Sequence, residues 1–103
     1  MIATLEMFQN PGLSTDHDRL SSLIYGRADA IARVDGLQSK IWFNNPELGT
    51  IGAFLVWRDR DALASFRRGE DTASIAERWG TVPRIDDFDI CQTVIEGTIK
   101  RFM

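Results

Sequence analysis

The sequence predicts an α+β domain of the ferredoxin-like type, with elements in the order β-α-β-β-α-β. Three observations carry this. Residues 40–57, KIWFNNPELGTIGAFLVW, read as two apolar strands folded back on a polar turn. Two segments, 15–34 and 59–80, repeat apolar residues at helical spacing. Two further segments, 1–8 and 84–97, have the composition of strands.

Taken in order, MIATLEMF (1–8) is the first strand, with Thr4 and Glu6 interleaved among apolar neighbours. QNPGLS then carries a Pro-Gly turn signal. Ser14 or Thr15 is expected to cap the first helix, with Asp16 and Asp18 in the first turn, where the dipole favours negative charge. Leu20, Leu23, Ile24, Arg27, Ala28 and Ile31 form its stripe, and Asp35-Gly36 ends it. The hairpin strands follow at 37–44 and 50–58. Asn45-Pro46 opens the turn because proline presets φ, and Gly49 closes it in a left-handed conformation. If the loop runs from Asn45 to Leu48, Trp42 shares a sheet face with Ala53, Leu55 and Trp57. Asp59 or Asp61 starts the second helical region, with Ala62, Leu63 and Phe66 as its stripe. Gly69 breaks it, and Ile75, Ala76 and Trp79 turn inward beyond the break. Pro83 ends the region, and RIDDFDICQTVIEG (84–97) is a long last strand. No linker, repeat or low-complexity segment interrupts the chain, so residues 1–103 are read as a single domain.

With 103 residues, 44% hydrophobic and 26% charged, the composition is that of an ordinary globular domain with one core. A net charge of −3 supplies no electrostatic reason to bind nucleic acid or an anionic membrane. No apolar run is long enough to span a bilayer, and the start lacks the basic flank and apolar core of a leader. The single cysteine, Cys91, cannot form an internal disulfide, which fits a reducing cytoplasm.

The third strand has no charged residue from Ile51 to Trp57. A strand with one wet face should alternate. Two helices cover one face of a four-stranded sheet, so the second layer is expected from another copy, sheet against sheet, in a two-fold homodimer.

The stretch from Gly36 to Phe66 carries a likeness. GLQSKIWF followed by GTIGAFLVWRDRDALASF resembles the YdhR-like monooxygenases, a branch of the dimeric α+β barrel superfamily that includes the antibiotic biosynthesis monooxygenases. The shared features are a glycine before a K-(I/V)-W strand, a glycine-led apolar third strand and an Ala-Leu pair early in the second helix. The resemblance implies a homodimer whose two sheets form a barrel, with a pocket between sheet and helices in each subunit. It implies an activity among cofactor-independent oxygenation of aromatic polyketides, haem degradation, polyketide cyclisation and lactone isomerisation. Many relatives have a histidine, used as haem ligand or base, where this chain has Phe66. That departure speaks against haem at this helix.

One histidine and one cysteine cannot build the usual imidazole and thiolate metal clusters, so no metal is expected. In DDFD, Asp87 and Asp89 share one strand face and Asp86 the other, which reads as a solvated edge. No phosphate loop or dinucleotide fingerprint is present, and no tightly bound cofactor is expected. His17 titrates nearest neutral pH and lies in line with Leu20 and Ile24, which suits a base at a cavity mouth. An exposed histidine beside Asp16 and Asp18 fits the same spacing. Tyr25, at the edge of the stripe, suits a pocket donor or edge packing. Trp42, Trp57, Trp79 and Phe66 are candidates to wall a flat aromatic ligand, with core or dimer packing as the alternative, and Asn44 is a candidate polar anchor. RNA-recognition domains share this element order, but TIGAFLVW has Thr50 at their basic position and Gly52 where a stacking aromatic belongs. The expected function is cofactor-independent monooxygenation of a hydrophobic, aromatic or polyketide-like small molecule. Non-redox cyclisation or isomerisation, or ligand binding without catalysis, uses the same pocket.

Overall fold

A computed structural model describes residues 1–70 and 72–91. Four strands, β1 (Ile2–Gln9), β2 (Leu37–Asn45), β3 (Thr50–Trp57) and β4 (Arg84–Asp89), form one sheet in the order β2-β3-β1-β4. All three pairings are antiparallel. Helices α1 (Pro11–Ser14), α2 (His17–Tyr25) and α3 (Ala28–Ala32) connect β1 to β2, and α4 (Arg60–Arg68) and α5 (Thr72–Trp79) connect β3 to β4. This is the expected α+β ferredoxin-like fold.

The register sets two faces. Toward the helices point Ile2, Thr4, Glu6 and Phe8 of β1, paired row by row with Trp57, Leu55, Ala53 and Ile51 of β3. Lys40, Trp42 and Asn44 continue these rows onto β2. On β4, Ile85 continues the Glu6 row and Asp87 the Thr4 row. The hairpin loop runs from Pro46 to Gly49, because Asn45 pairs with Thr50. It lies one residue later than expected on both strands. The shift keeps the parity, so Trp42 still shares a face with Ala53, Leu55 and Trp57. Gly49 has φ +67, the left-handed value the turn requires.

The core on this face is split. Ile2, Ala53, Leu55, Trp57, Ala62 and Leu63 form one cluster, and Phe8, Leu13, Leu20, Ile51 and Trp79 form the other. Trp42 packs against both. Glu6 and Lys40 occupy the rows between the two clusters.

Several elements differ from expectation. The Pro-Gly segment is a one-turn helix, with Pro11 at the position where a missing N–H costs nothing and Asn10 Oδ1 accepting from Leu13 N at 3.1 Å. Ser14 belongs to that turn, so Asp16 caps α2 instead, accepting from Arg19 N. The single helix expected over 15–34 breaks at Gly26 and Arg27, whose φ of −115 and ψ of 4 leave the helical region. The apolar stripe continues across the break, so periodicity did not reveal it. Asp59 caps α4 and Gly69 ends it, as expected. Strand β4 ends at Asp89, short of the long strand expected, and residues 92–97 of that expectation lie outside the described residues.

Among the described residues no helix packs on the opposite face of the sheet. Ile41, Phe43, Phe54 and Phe88 lie on it and are exposed by 58%, 40%, 36% and 51%, with Leu5, Met7 and Val56 between them. Among the described residues no helix is long and apolar enough to cross a membrane.

Candidate functional site

Between the two core clusters lies a cavity of about 660 Å³. Its floor is the sheet, where Thr4, Glu6, Lys40, Trp42 and Trp57 line it. Its sides come from the end of α2 and from α3 through Ile24 and Ile31, and from α4 and α5 through Phe66 and Trp79. Arg27, at the α2–α3 break, and Ala28, Ile31 and Ala32 of α3 belong to its lining.

Aromatic rings wall both ends. Trp42 and Trp79 stack with centroids 4.8 Å apart at 26°, and Phe8 lies 4.9 Å from Trp79. At the other end Trp57 meets Phe66 at 5.2 Å. The β3 positions that define these ends, Ala53 and Trp57, are four residues apart, about 13 Å along the strand.

Glu6 and Lys40 line this space from the sheet. Burial pushes the Glu6 carboxyl up from its ordinary value, against the pull of the Lys40 ammonium. Burial pushes Lys40 down, against the attraction of Glu6 and then Glu70. Glu6 and Lys40 form no ion pair within 4.0 Å, so each keeps capacity for a ligand. The Lys40 Nζ lies 4.5 Å from the centroid of the Trp42 ring, a cation–π contact that favours its charged form.

A hydrogen-bonded chain holds the Trp57 end. Trp57 Nε1 donates to Thr4 Oγ1 at 3.1 Å, and Thr4 Oγ1 donates to Asp87 Oδ1 at 2.9 Å. Arg67 of α4 grips Asp87 with both terminal nitrogens, which lowers the Asp87 carboxyl below its ordinary value. Arg60 bridges Asp89 at 2.5 Å, and Arg84 bridges Asp86. The DDFD carboxylates therefore tie the edge strand to α4 and to its own start. Among the described residues no group of three His, Cys, Asp or Glu is placed to hold a metal ion.

Of the residues singled out from sequence, Trp42, Trp57, Phe66 and Trp79 line the cavity together. Tyr25 lines its rim and is 77% exposed. His17 does not reach it. His17 is exposed at the start of α2, whereas the cavity opens against the far end of that helix. Asn44 is not in the cavity either. Its Oδ1 accepts from Ser14 Oγ at 2.6 Å and its Nδ2 donates to Ser14 O at 2.9 Å, so it latches α1 to β2.

Glu6 and Lys40 were not among the candidates. The available signal was a charged side chain in phase with the apolar, helix-facing residues of its own strand, Glu6 with Ile2 and Phe8, Lys40 with Trp42. Their meeting across β3 needs the sheet order, which neither strand contains.

No known family profile matches the chain, and no curated protein matches it in sequence. Solved structures do share its fold. A monooxygenase from the ActVA-Orf6 gene of Streptomyces coelicolor, solved with nanaomycin D, superposes with a TM-score of 0.69 at 14% identity, over 90% of this chain and 89% of that one. SnoaB, a cofactor-independent oxygenase from Streptomyces nogalater, does so with a TM-score of 0.67 at 17% identity, over 92% and 97%. MhuD, a haem degrader from Mycobacterium tuberculosis solved with two haems in its active site, gives 0.68 at 15%, over 91% and 99%. Among the described residues the cavity lining has no imidazole or thiol, since His17 lies outside and Cys91 is exposed beyond β4, and the Tyr25 phenol at the rim is the one haem-ligand type it holds. At these identities the likeness is one of architecture, the α+β ferredoxin-like fold of antibiotic biosynthesis monooxygenase-like proteins.

Proposed function

We propose that this protein is a cofactor-independent monooxygenase acting on a flat, hydrophobic hydroxyaromatic molecule, and that it works as a homodimer in the cytoplasm. The observation that carries the reading is the raised Glu6 carboxyl facing Lys40 in an aromatic-walled cavity. Neighbours described as a monooxygenase and a cofactor-independent oxygenase support it. The Gly36–Phe66 segment reads as the YdhR-like branch of that superfamily.

The chemistry needs a base, a counter-charge and a dry pocket. Glu6 takes the proton of an acidic substrate hydroxyl, and the Lys40 ammonium stabilises the resulting anion. Delocalised to carbon, that anion reduces oxygen and forms a carbon–oxygen bond, giving a peroxide. Glu6 returns its proton to the peroxide, which loses water and leaves a carbonyl. The hydroxyl proton, one ring hydrogen and one oxygen atom of O₂ leave as water, the other oxygen atom becomes the new carbonyl of a quinone, and the substrate is the sole reductant. Stacking on Trp42, Trp57, Phe66 and Trp79 orients the ring, and Tyr25 offers a hydroxyl at the rim. His17 and Asn44 take no part.

The test is oxygen uptake with a panel of electron-rich hydroxyaromatics. Uptake above the uncatalysed rate, reduced about 10²-fold in Glu6→Gln, is expected for loss of a general base. Substrate loss that proceeds equally under nitrogen would assign the same pair to cyclisation or isomerisation, which proton transfer by Glu6 also serves. Ligand binding without turnover in either atmosphere would leave a binding protein.

The dimer is proposed from the open sheet face. Its apolar side chains are too many and too contiguous for a stable exposed surface. A second copy, sheet against sheet, covers them.

A further inference from the structure

We propose that the ligand is an aromatic acid, its carboxylate held at the cavity entrance by Arg27 and Arg78 while its rings lie between the indoles. This rests on the functional reading above and names its substrate class.

A smaller cavity of about 290 Å³ adjoins the main one, and the two share Arg27, Phe66, Glu70 and Arg78. These four residues mark the passage between solvent and the aromatic interior. Arg27 comes from the α2–α3 break, Phe66 from α4, Glu70 from just beyond its end, and Arg78 from the last turn of α5. The helix break thus places one arginine opposite another.

Neither arginine has a recorded ion-pair partner within 4.0 Å among the described residues. The bridges present engage Arg58, Arg60, Arg67 and Arg84. Arg67 also lines the cavity but is spent on Asp87. Among the described residues, Arg27, Lys40 and Arg78 therefore face Glu6 and Glu70, an excess of cations in a chain whose net charge is −3. The two arginines already act on Lys40, since both weaken its hold on its proton. A bound anion relieves that repulsion and keeps Lys40 charged for its role.

The anion is a carboxylate by charge and shape. Guanidinium forks match a planar carboxylate. Glu70, on the same boundary, disfavours a dianion such as a phosphate ester.

Quenching of the cavity indoles reports binding without requiring turnover. The probes are a naphthol and the corresponding hydroxynaphthoate, titrated at neutral pH and low salt. The acid is expected to bind about 10-fold more tightly than its neutral parent, a difference of about 1.4 kcal/mol. That preference should shrink several-fold in Arg27→Gln or Arg78→Gln, vanish in the double variant and fall with added salt. Arg27 is exposed, so its variant keeps the fold, checked by circular dichroism. Equal affinities for the two probes, or a preference that survives in the double variant, overturns the inference. Oxygen uptake without acid preference removes this inference and leaves the monooxygenase reading intact. Acid preference without oxygen uptake does the reverse. Binding of neither probe removes both.

Discussion

Glu6 is a carboxylate where burial favours the neutral acid. Its folded pKa lies above its unfolded value, so the native state holds the proton more tightly. Its contribution to stability is therefore full below the ordinary value of 4.5 and is lost as pH rises through the folded value. Glu6→Gln mimics the protonated form at every pH. It should melt above wild type at pH 7 and match wild type near pH 4. The same variant should lose turnover, so stability and activity move in opposite directions. A thermal scan at the two pH values checks this, and a variant less stable at pH 7 would contradict it. Lys40 counters the shift, with Arg67 also lowering the Glu6 carboxyl and Glu70 raising it. Lys40→Met should move the acidic limb of the pH–rate profile upward. An unmoved limb would remove Lys40 from the electrostatics of the base.

At the scale of elements, the β2–β3 hairpin and α1 fix the closed end of the site. Gly49 at φ +67 packs so close to Pro11 that an added Cβ would sit 2.7 Å from its Cγ and 2.9 Å from its Cα. The neighbouring bonds, Asn10 N to Gly49 O at 2.9 Å and Gln9 Nε2 to Leu48 O at 2.7 Å, bind this turn to the end of β1. Gly49→Ala should cost on the order of 1–3 kcal/mol, from left-handed strain with a displaced Pro11, measured by urea denaturation. Asn44→Ala removes both bonds to Ser14, a residue only 3% exposed, and should cost about 1–3 kcal/mol. Naphthol affinity in that variant should equal wild type, because Asn44 is a latch. A loss of affinity with unchanged stability would return Asn44 to the site.

For the whole molecule, the apolar sheet face left open by the described residues is the basis of the proposed dimer. Sedimentation should give about twice the chain mass of 11.6 kDa at micromolar concentration. Phe54→Glu places a charge mid-face, where it is tolerated in a monomer and not between stacked sheets. It should shift the protein to monomer with the fold retained. A wild-type protein that sediments as a monomer would remove the dimer.

Much of the architecture was legible because local physics dictates it. Hairpin strands, the Gly49 turn, the Asp59 cap and the break at Gly69 follow from side-chain period and backbone preference, which act within a few residues. The uncharged third strand likewise pointed to two covering layers, of which the described residues supply one. Of the site, the aromatic walls were legible as large rings at inward positions. The charged pair was not. Glu6 and Lys40 lie on strands that never touch, brought face to face across β3 by the order β2-β3-β1-β4. His17 looked better by type and worse by place, since helical spacing gives a face but not which end of the helix meets the gap. That gap lies between two core clusters packed against one sheet, with Arg27 of the helix break in its lining. Composition and period are local properties of the chain. A cavity is what remains when distant elements have packed, so the tertiary structure alone decided where this protein keeps its charges.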